Sequence, residues 1–147
     1  MSDDGIGIHL IRKMGERKPS LQEISLLELG TSPLYYLEEI SKTETLIVLD
    51  AIKGGESPGS VYCFEEKDLD LYPGSFRDFH GYSILEVIAL SRELTDLPAA
   101  VFFYGVEPEN IAPGMELSPS VKAVITELIE LIISNHFPQL YIFLKNT

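Results

Sequence analysis

Apolar residues change their spacing several times along this chain, and each change marks an element. Behind Ser2-Asp3-Asp4-Gly5, a composition suited to helix entry, Ile8, Ile11 and Met14 recur at close to helical intervals. Ile24 to Leu29 reads as a short strand ending at Gly30-Thr31-Ser32-Pro33, after which Leu34, Leu37 and Ile40 resume a helical period. Leu46-Ile47-Val48-Leu49 is an unbroken apolar run closed by Asp50. That is the pattern of a strand covered on both faces, so it is expected to lie centrally in a largely parallel sheet. Gly54-Gly55-Glu56-Ser57-Pro58-Gly59 is a dense turn signal. It predicts that the strand behind it, Val61-Tyr62-Cys63-Phe64, pairs in hairpin fashion with its neighbour, antiparallel and peripheral.

Lys67 to Phe79 has no clear period and contains Pro73-Gly74, which makes it a loop of the length that carries function. Tyr82 to Leu94 turns helical, Ala99 to Tyr104 is an apolar strand ending in Gly105, and Glu107 to Pro113 reads as a loop. Ser118-Pro119 then opens a helix with Pro in its first turn, with Val121, Val124, Ile125, Leu128 and Ile132 on the buried side. The tail, Pro138 to Leu144, is more apolar than a solvated terminus should be, so a cover for it is expected. Alternating strands and helices imply α/β layers.

At 147 residues the chain has the size of one ordinary domain, so a single domain over 1–147 is expected. Hydrophobic residues at 45% and charged residues at 23% suit a globular protein. The formal net charge of -12 repels phosphate backbones and anionic lipid, which argues against nucleic acid and membrane as partners. A protein or a small cation suits it better. One cysteine, Cys63, permits no internal disulfide, and no leader-like apolar stretch opens the sequence, so a reducing cytoplasm is the expected compartment.

Ligands of open α/β sheets gather outside the carboxyl ends of the parallel strands. Asp50 closes the most clearly central strand, which makes it the first candidate. Asp4 precedes the first helix and His80 the helix near Tyr82, so all three can converge on one edge. The loop from Lys67 to Phe79 spans roughly 40 Å when extended, enough to bring His80 over. Two carboxylates and an imidazole suit a borderline divalent ion and leave positions open for water or substrate. Such an ion polarises a peptide carbonyl and acidifies bound water. Each residue also has a plainer reading. Asp4, or its neighbour Asp3, can cap a helix, Asp50 can accept backbone hydrogen bonds, and a loop histidine can simply be solvated. His9 and His136 are read in that structural or solvated way. Cys63 is read as a small buried hydrophobe rather than a nucleophile, because no base is placed beside it. Gly5-Ile6-Gly7 is too short for a phosphate-binding fingerprint.

Taken together, Asp3-Asp4-Gly5-Ile6-Gly7, Leu46-Ile47-Val48-Leu49-Asp50-Ala51, Pro58-Gly59-Ser60-Val61, His80-Gly81-Tyr82-Ser83 and Gly105-Val106-Glu107-Pro108-Glu109 resemble the hydrogenase maturation peptidases in content, order and interval. Gly114-Met115-Glu116-Leu117-Ser118-Pro119 is similar to that family's entry to its last helix, so the resemblance runs from Asp3 to about Ser134. It implies a three-layer α/β/α sandwich with a mostly parallel sheet and one antiparallel strand. It also implies an endopeptidase that removes the C-terminal extension of a [NiFe]-hydrogenase large-subunit precursor after nickel insertion.

In the family, an early acidic residue, an aspartate ending a central strand and a later histidine contact the metal, and these roles fall on Asp4, Asp50 and His80. Nickel arrives with the precursor, and no organic cofactor is implied. Water near the metal is the nucleophile, with Asp4 the preferred proton carrier. Gly30-Thr31 is similar to a family turn that follows an aspartate two positions earlier, where this chain has Glu28. An apolar strand and a Gly-x-Gly-Asn turn ordinarily precede Asp-Asp-Gly; here they are missing, which suggests a misplaced start or a truncation. Leu140 to Leu144 is a candidate to fill that strand position. Two alternatives stand beside this reading: a catalytically incompetent relative that binds a hydrogenase subunit, and an unrelated metal-dependent hydrolase of small substrates. The oligomeric state is open, with a monomer the default.

Overall fold

A computed structural model of the chain describes residues 5–16, 33–71, 81–109 and 116–136. Its helices are α1 (Ile6–Gly15), α2 (Leu37–Ile40), α3 (Gly81–Thr95), α4 (Pro119–Lys122) and α5 (Ile125–His136), and its strands β1 (Thr45–Ala51), β2 (Val61–Glu65) and β3 (Ala100–Val106). Short 3₁₀ turns occupy Pro33–Tyr36 and Glu66–Leu71. The described strands lie in the order β1-β3-β2, with β1 parallel and β2 antiparallel to β3. Strand alternation then divides the apolar side chains into two sets. Ile47, Leu49, Ala51, Phe102, Tyr104 and Val106 meet α1, α4 and α5, while Leu46, Val48, Val101, Phe103 and Phe64 meet α2 and α3. Helices therefore cover both faces, and the α/β/α layering follows from period two in the strands.

Each helix buries a stripe with helical spacing. Ile6, Leu10 and Met14 of α1 are buried four residues apart, whereas Ile8 and Ile11, the positions singled out by the sequence, are half-buried. In α5 the stripe is Ile125, Leu128, Ile129, Ile132 and Ile133. The single helix expected after Ser118 is divided at Ala123 and Val124. Val124 N donates to Val121 O, a tighter turn than the α-helical one, and Leu128 N then donates to Val124 O to begin α5. Leu34 also departs from its expected place. The 3₁₀ turn leaves it 59% exposed and buries Pro33.

One strand expectation is corrected. β2 is antiparallel and ends the described strand order, but its partner is β3 and not the preceding strand. The 52–60 segment crosses the end of β3: Ile52 N donates to Val106 O, and on the far side Glu107 N donates to Ser60 O while Gly59 N donates to Glu107 O. β3 holds the middle of the described strands, with β1 on one side of it and β2 on the other. The predicted strand over 24–29 and the apolar tail lie outside the described residues.

His136 closes α5 against the sheet. Its ring meets Phe102 edge-on at 4.6 Å and Tyr104 at 5.5 Å, and Nε2 is 2.7 Å from the Tyr104 hydroxyl, which also accepts from Asn135 Nδ2 at 3.1 Å. This bears out a structural reading for His136. Burial holds its pKa below 6.5.

Two predictions follow from the packing. A Cβ added to Gly7 would stand 2.1 Å from the Leu49 carbonyl oxygen and 3.0 Å from its carbon. Gly7→Ala should therefore cost about 1–3 kcal/mol in urea unfolding, despite the gain in helix propensity; an unchanged midpoint would contradict this contact. The second concerns pH. A histidine with a lowered folded pKa binds fewer protons folded than unfolded, so its stabilising contribution is complete above about 6.5 and lost as pH falls. The stability of wild type relative to His136→Gln should shrink across that acid range, and parallel pH profiles would refute the assignment.

Candidate functional site

The parallel pairing of β1 with β3 brings two carboxyl ends together, and Asp50 stands at one of them. Its register partner is Gly105, whose partner on β2 is Tyr62, so Asp50, Gly105 and Tyr62 form one row across the sheet. Alternation places this row on the α2/α3 face, because Leu46 and Val48 point there. Asp50 is half-buried, and its Oδ1 accepts from Ala51 N at 2.8 Å. The plainer expectation, a carboxylate that accepts a backbone hydrogen bond, is met to that extent, and the interaction leaves the carboxylate at the edge.

The middle of the row is kept flat. A Cβ on Gly105 would lie 2.3 Å from Ile52 Cδ1 and 2.9 Å from Asp50 O, so Ile52 closes over the position where a side chain would rise. The first turn of α1 packs onto the same end of β1, since a Cβ on Gly7 would be 3.5 Å from Asp50 Cα. The positive end of that helix therefore lies beside Asp50. α3 packs on the face that carries Asp50. Its C-terminal end is at the amino edge, where Thr95 Oγ1 donates to Ser41 O and Ala99 N to Glu44 O. Fifteen helical residues rise about 22 Å, which returns Gly81 toward the carboxyl edge.

Of the three residues predicted to meet, Asp50 is the one described. Asp4 and His80 lie outside the described residues, as do Glu28, Gly30 and Thr31. What the structure does place is their covalent neighbours, Gly5 at the start of α1 and Gly81 at the start of α3. Among the described residues no three His, Cys, Asp or Glu side chains are grouped to hold a metal ion. His9, at an intermediate depth on α1, has its pKa lowered by burial and by the nearby Arg12 charge.

Cys63 corrects an expectation. It is exposed on β2 rather than buried, because β2 ends the described strand order and Cys63 faces the side opposite Phe64. Its register partner Tyr104 is 1% exposed, and burial pushes that phenol up to about 12.

Sequence reasoning passed over Glu107, which it assigned to a loop. Glu107 is 4% exposed and directly follows β3. One carboxylate oxygen, Oε1, accepts from Gly54 N at 2.9 Å, Glu56 N at 2.9 Å and Tyr62 Oη at 2.5 Å. Burial, reinforced by this bond to Glu107, raises the Tyr62 phenol to about 12. The signal was present in the chain: an acidic residue closing an apolar strand, the same pattern that singled out Asp50. A half-buried aspartate, a helix N-terminus and a braced loop thus meet at the kind of edge where open α/β sheets gather their ligands.

A family model described as hydrogenase maturation protease matches residues 8–135. The hydrogenase expression/formation protein HupD of Thiocapsa roseopersicina is 28% identical over 132 residues, covering 88% of this chain and 60% of its own. The hydrogenase 2 maturation protease of Escherichia coli K12 is 22% identical over 135 residues, covering 91% of this chain and 82% of its own. The chain thus spans about 60% of the length of the HupD proteins of Thiocapsa roseopersicina and Rhodobacter capsulatus. Among solved structures, the hydrogenase maturating endopeptidase HybD of E. coli superposes with a TM-score of 0.80 at 23% identity, over 92% of this chain and 84% of that one. The [NiFe] hydrogenase maturation protease HybD of Thermococcus kodakarensis gives 0.74 at 24% identity, over 91% and 90%. These two likenesses speak to the fold. The family match takes in most of the chain, and on that ground the chain belongs to the hydrogenase maturation protease family.

Proposed function

We propose that this protein is an endopeptidase that removes the C-terminal extension of a [NiFe]-hydrogenase large-subunit precursor once nickel is in place. The observation that carries the reading is Asp50, held at the carboxyl end of β1 beside Gly105 and the first turn of α1. Family membership supplies the class of reaction, and the carboxyl edge supplies a place for it.

In this reading nickel is part of the substrate. Asp4, Asp50 and His80 contact it, which admits only precursor that already carries its metal. The chain needs no organic cofactor. Water near the bound metal attacks the scissile carbonyl carbon, the C–N bond breaks, and the departing amine takes a proton. Asp4 is the proton carrier we favour. Gly5 follows Asp4 and Gly81 follows His80, and both glycines begin helices directed at the Asp50 edge, which supports the convergence. The reaction belongs in a reducing cytoplasm, where Cys63 stays a thiol and the precursor is assembled. No helix among the described residues is long and apolar enough to cross a membrane.

The test is a processing assay with purified protein and purified precursor, following release of the C-terminal peptide by mass spectrometry. Wild type should cleave nickel-loaded precursor and leave nickel-free precursor whole. Asp50→Ala should slow cleavage by about a hundredfold or more while the protein stays folded, because a contact to the reacting assembly is lost. Equal rates for wild type and Asp50→Ala would end this assignment, and cleavage of nickel-free precursor would end the role given to nickel.

A further inference from the structure

We propose that Glu107 is a positioning residue of the same reaction, holding the 52–60 segment as a fixed wall beside Asp50; this rests on the endopeptidase reading. Glu107 cannot touch substrate itself, being buried beneath that segment with 4% of its surface exposed. Its effect has to pass through what it holds. Oε1 receives the amides of Gly54 and Glu56 and the hydroxyl of Tyr62, gathering a turn and a strand onto one atom.

The held segment leaves the sheet directly after Asp50 and Ala51. Ile52 packs over Gly105, next to Asp50 in the row, and its N–H is bonded to Val106 O. Beyond it, Lys53, Gly55, Glu56, Ser57 and Pro58 are exposed above the carboxyl edge. Gly55, with φ of +87°, supplies a left-handed turn in open space. A Cβ on Gly54 would meet the Tyr62 hydroxyl at 2.5 Å, so the segment lies flat on the Tyr62–Glu107 pair. Both ends are also tied by backbone bonds, at Ile52 and at Gly59 and Ser60. Between those ties, Glu107 receives the segment's amides.

This separation makes a prediction. Loss of the Glu107 carboxylate should release the middle of the segment while the core stays intact, since the core clusters do not include it. Displacement of a substrate wall by about 1 Å is enough to cost on the order of a hundredfold in rate. A carboxamide at the same place still offers an oxygen to the same donors, so Glu107→Gln should serve nearly as well as the native residue.

The experiment measures kcat and KM for nickel-loaded precursor with wild type, Glu107→Ala, Glu107→Gln and Tyr62→Phe, each corrected for folded fraction by thermal unfolding. Amide hydrogen exchange at Gly54 and Glu56 is read in parallel. Glu107→Ala should lower kcat about ten- to hundredfold with both amides exchanging fast, and Glu107→Gln should restore rate and protection together. Tyr62→Phe should fall between them, and carries the test alone should Glu107→Ala not fold. Wild-type kcat in Glu107→Ala, or in Tyr62→Phe if it stands alone, overturns the proposal, as does a Glu107→Gln protein as slow as Glu107→Ala. Wild type that leaves the precursor whole overturns the endopeptidase reading and this assignment with it; a cleaving wild type confines any failure to Glu107.

Discussion

The parallel register of β1 on β3 is the constraint from which the candidate site follows. Parallel pairing requires that both strands end at the same edge, and the register sets Asp50 against Gly105 and Ala51 against Val106. Everything that meets there is arranged around that alignment. α1 approaches closely because Gly7 has no side chain to press on Leu49 O, and Ile52 turns across β3 because Gly105 leaves the room. A shift of one residue in this register would send Asp50 to the opposite face, into the apolar layer under α1 and α5. The hydrophobic alternation of both strands therefore fixes the direction of the polar residue at the end of one of them.

Much of this was legible in the chain, and the reasons differ from element to element. β1, β3 and α3 announced themselves through runs and periods that core burial demands, and Asp50 was found because a carboxylate that closes a buried strand has few places to go but the edge. What was not legible was pairing. Val61 to Phe64 alternates the same way whichever strand it joins. The decision lay in backbone bonds around Glu107, Ser60 and Val106, which leave no mark on side-chain pattern. Cys63 illustrates the same limit. Its type suggested burial, but a strand at the end of the described order has an outward side and the register put Cys63 on it. Asp4 and His80 lie outside the described residues, so their convergence with Asp50 stands as a proposal.

Glu107 shows why the site was only partly read. Strand end plus carboxylate was recognised at Asp50 and passed over at Glu107, because the Gly-Val-Glu-Pro-Glu stretch has the composition of a loop. In the structure, the residue is buried and meets three donors with one oxygen. A buried carboxylate without such donors would be costly to hold, and hydrogen bonds to a charged acceptor contribute about 1.5–3 kcal/mol each. That energetic need ties the 52–60 segment to the end of β3 more firmly than its glycines and exposed polar residues suggest.

Two acidic side chains at one edge thus have unlike environments. Asp50 is half-buried at the rim, where a group presented by a substrate can reach it. Glu107 is sealed beneath the segment it holds, with its oxygen already engaged by the fold. The difference supports the proposal that Asp50 meets the substrate while Glu107 keeps the 52–60 segment in order. The arrangement around Asp50 depends on Gly105, because any side chain there would strike Ile52, which lies over the position next to Asp50 in the row.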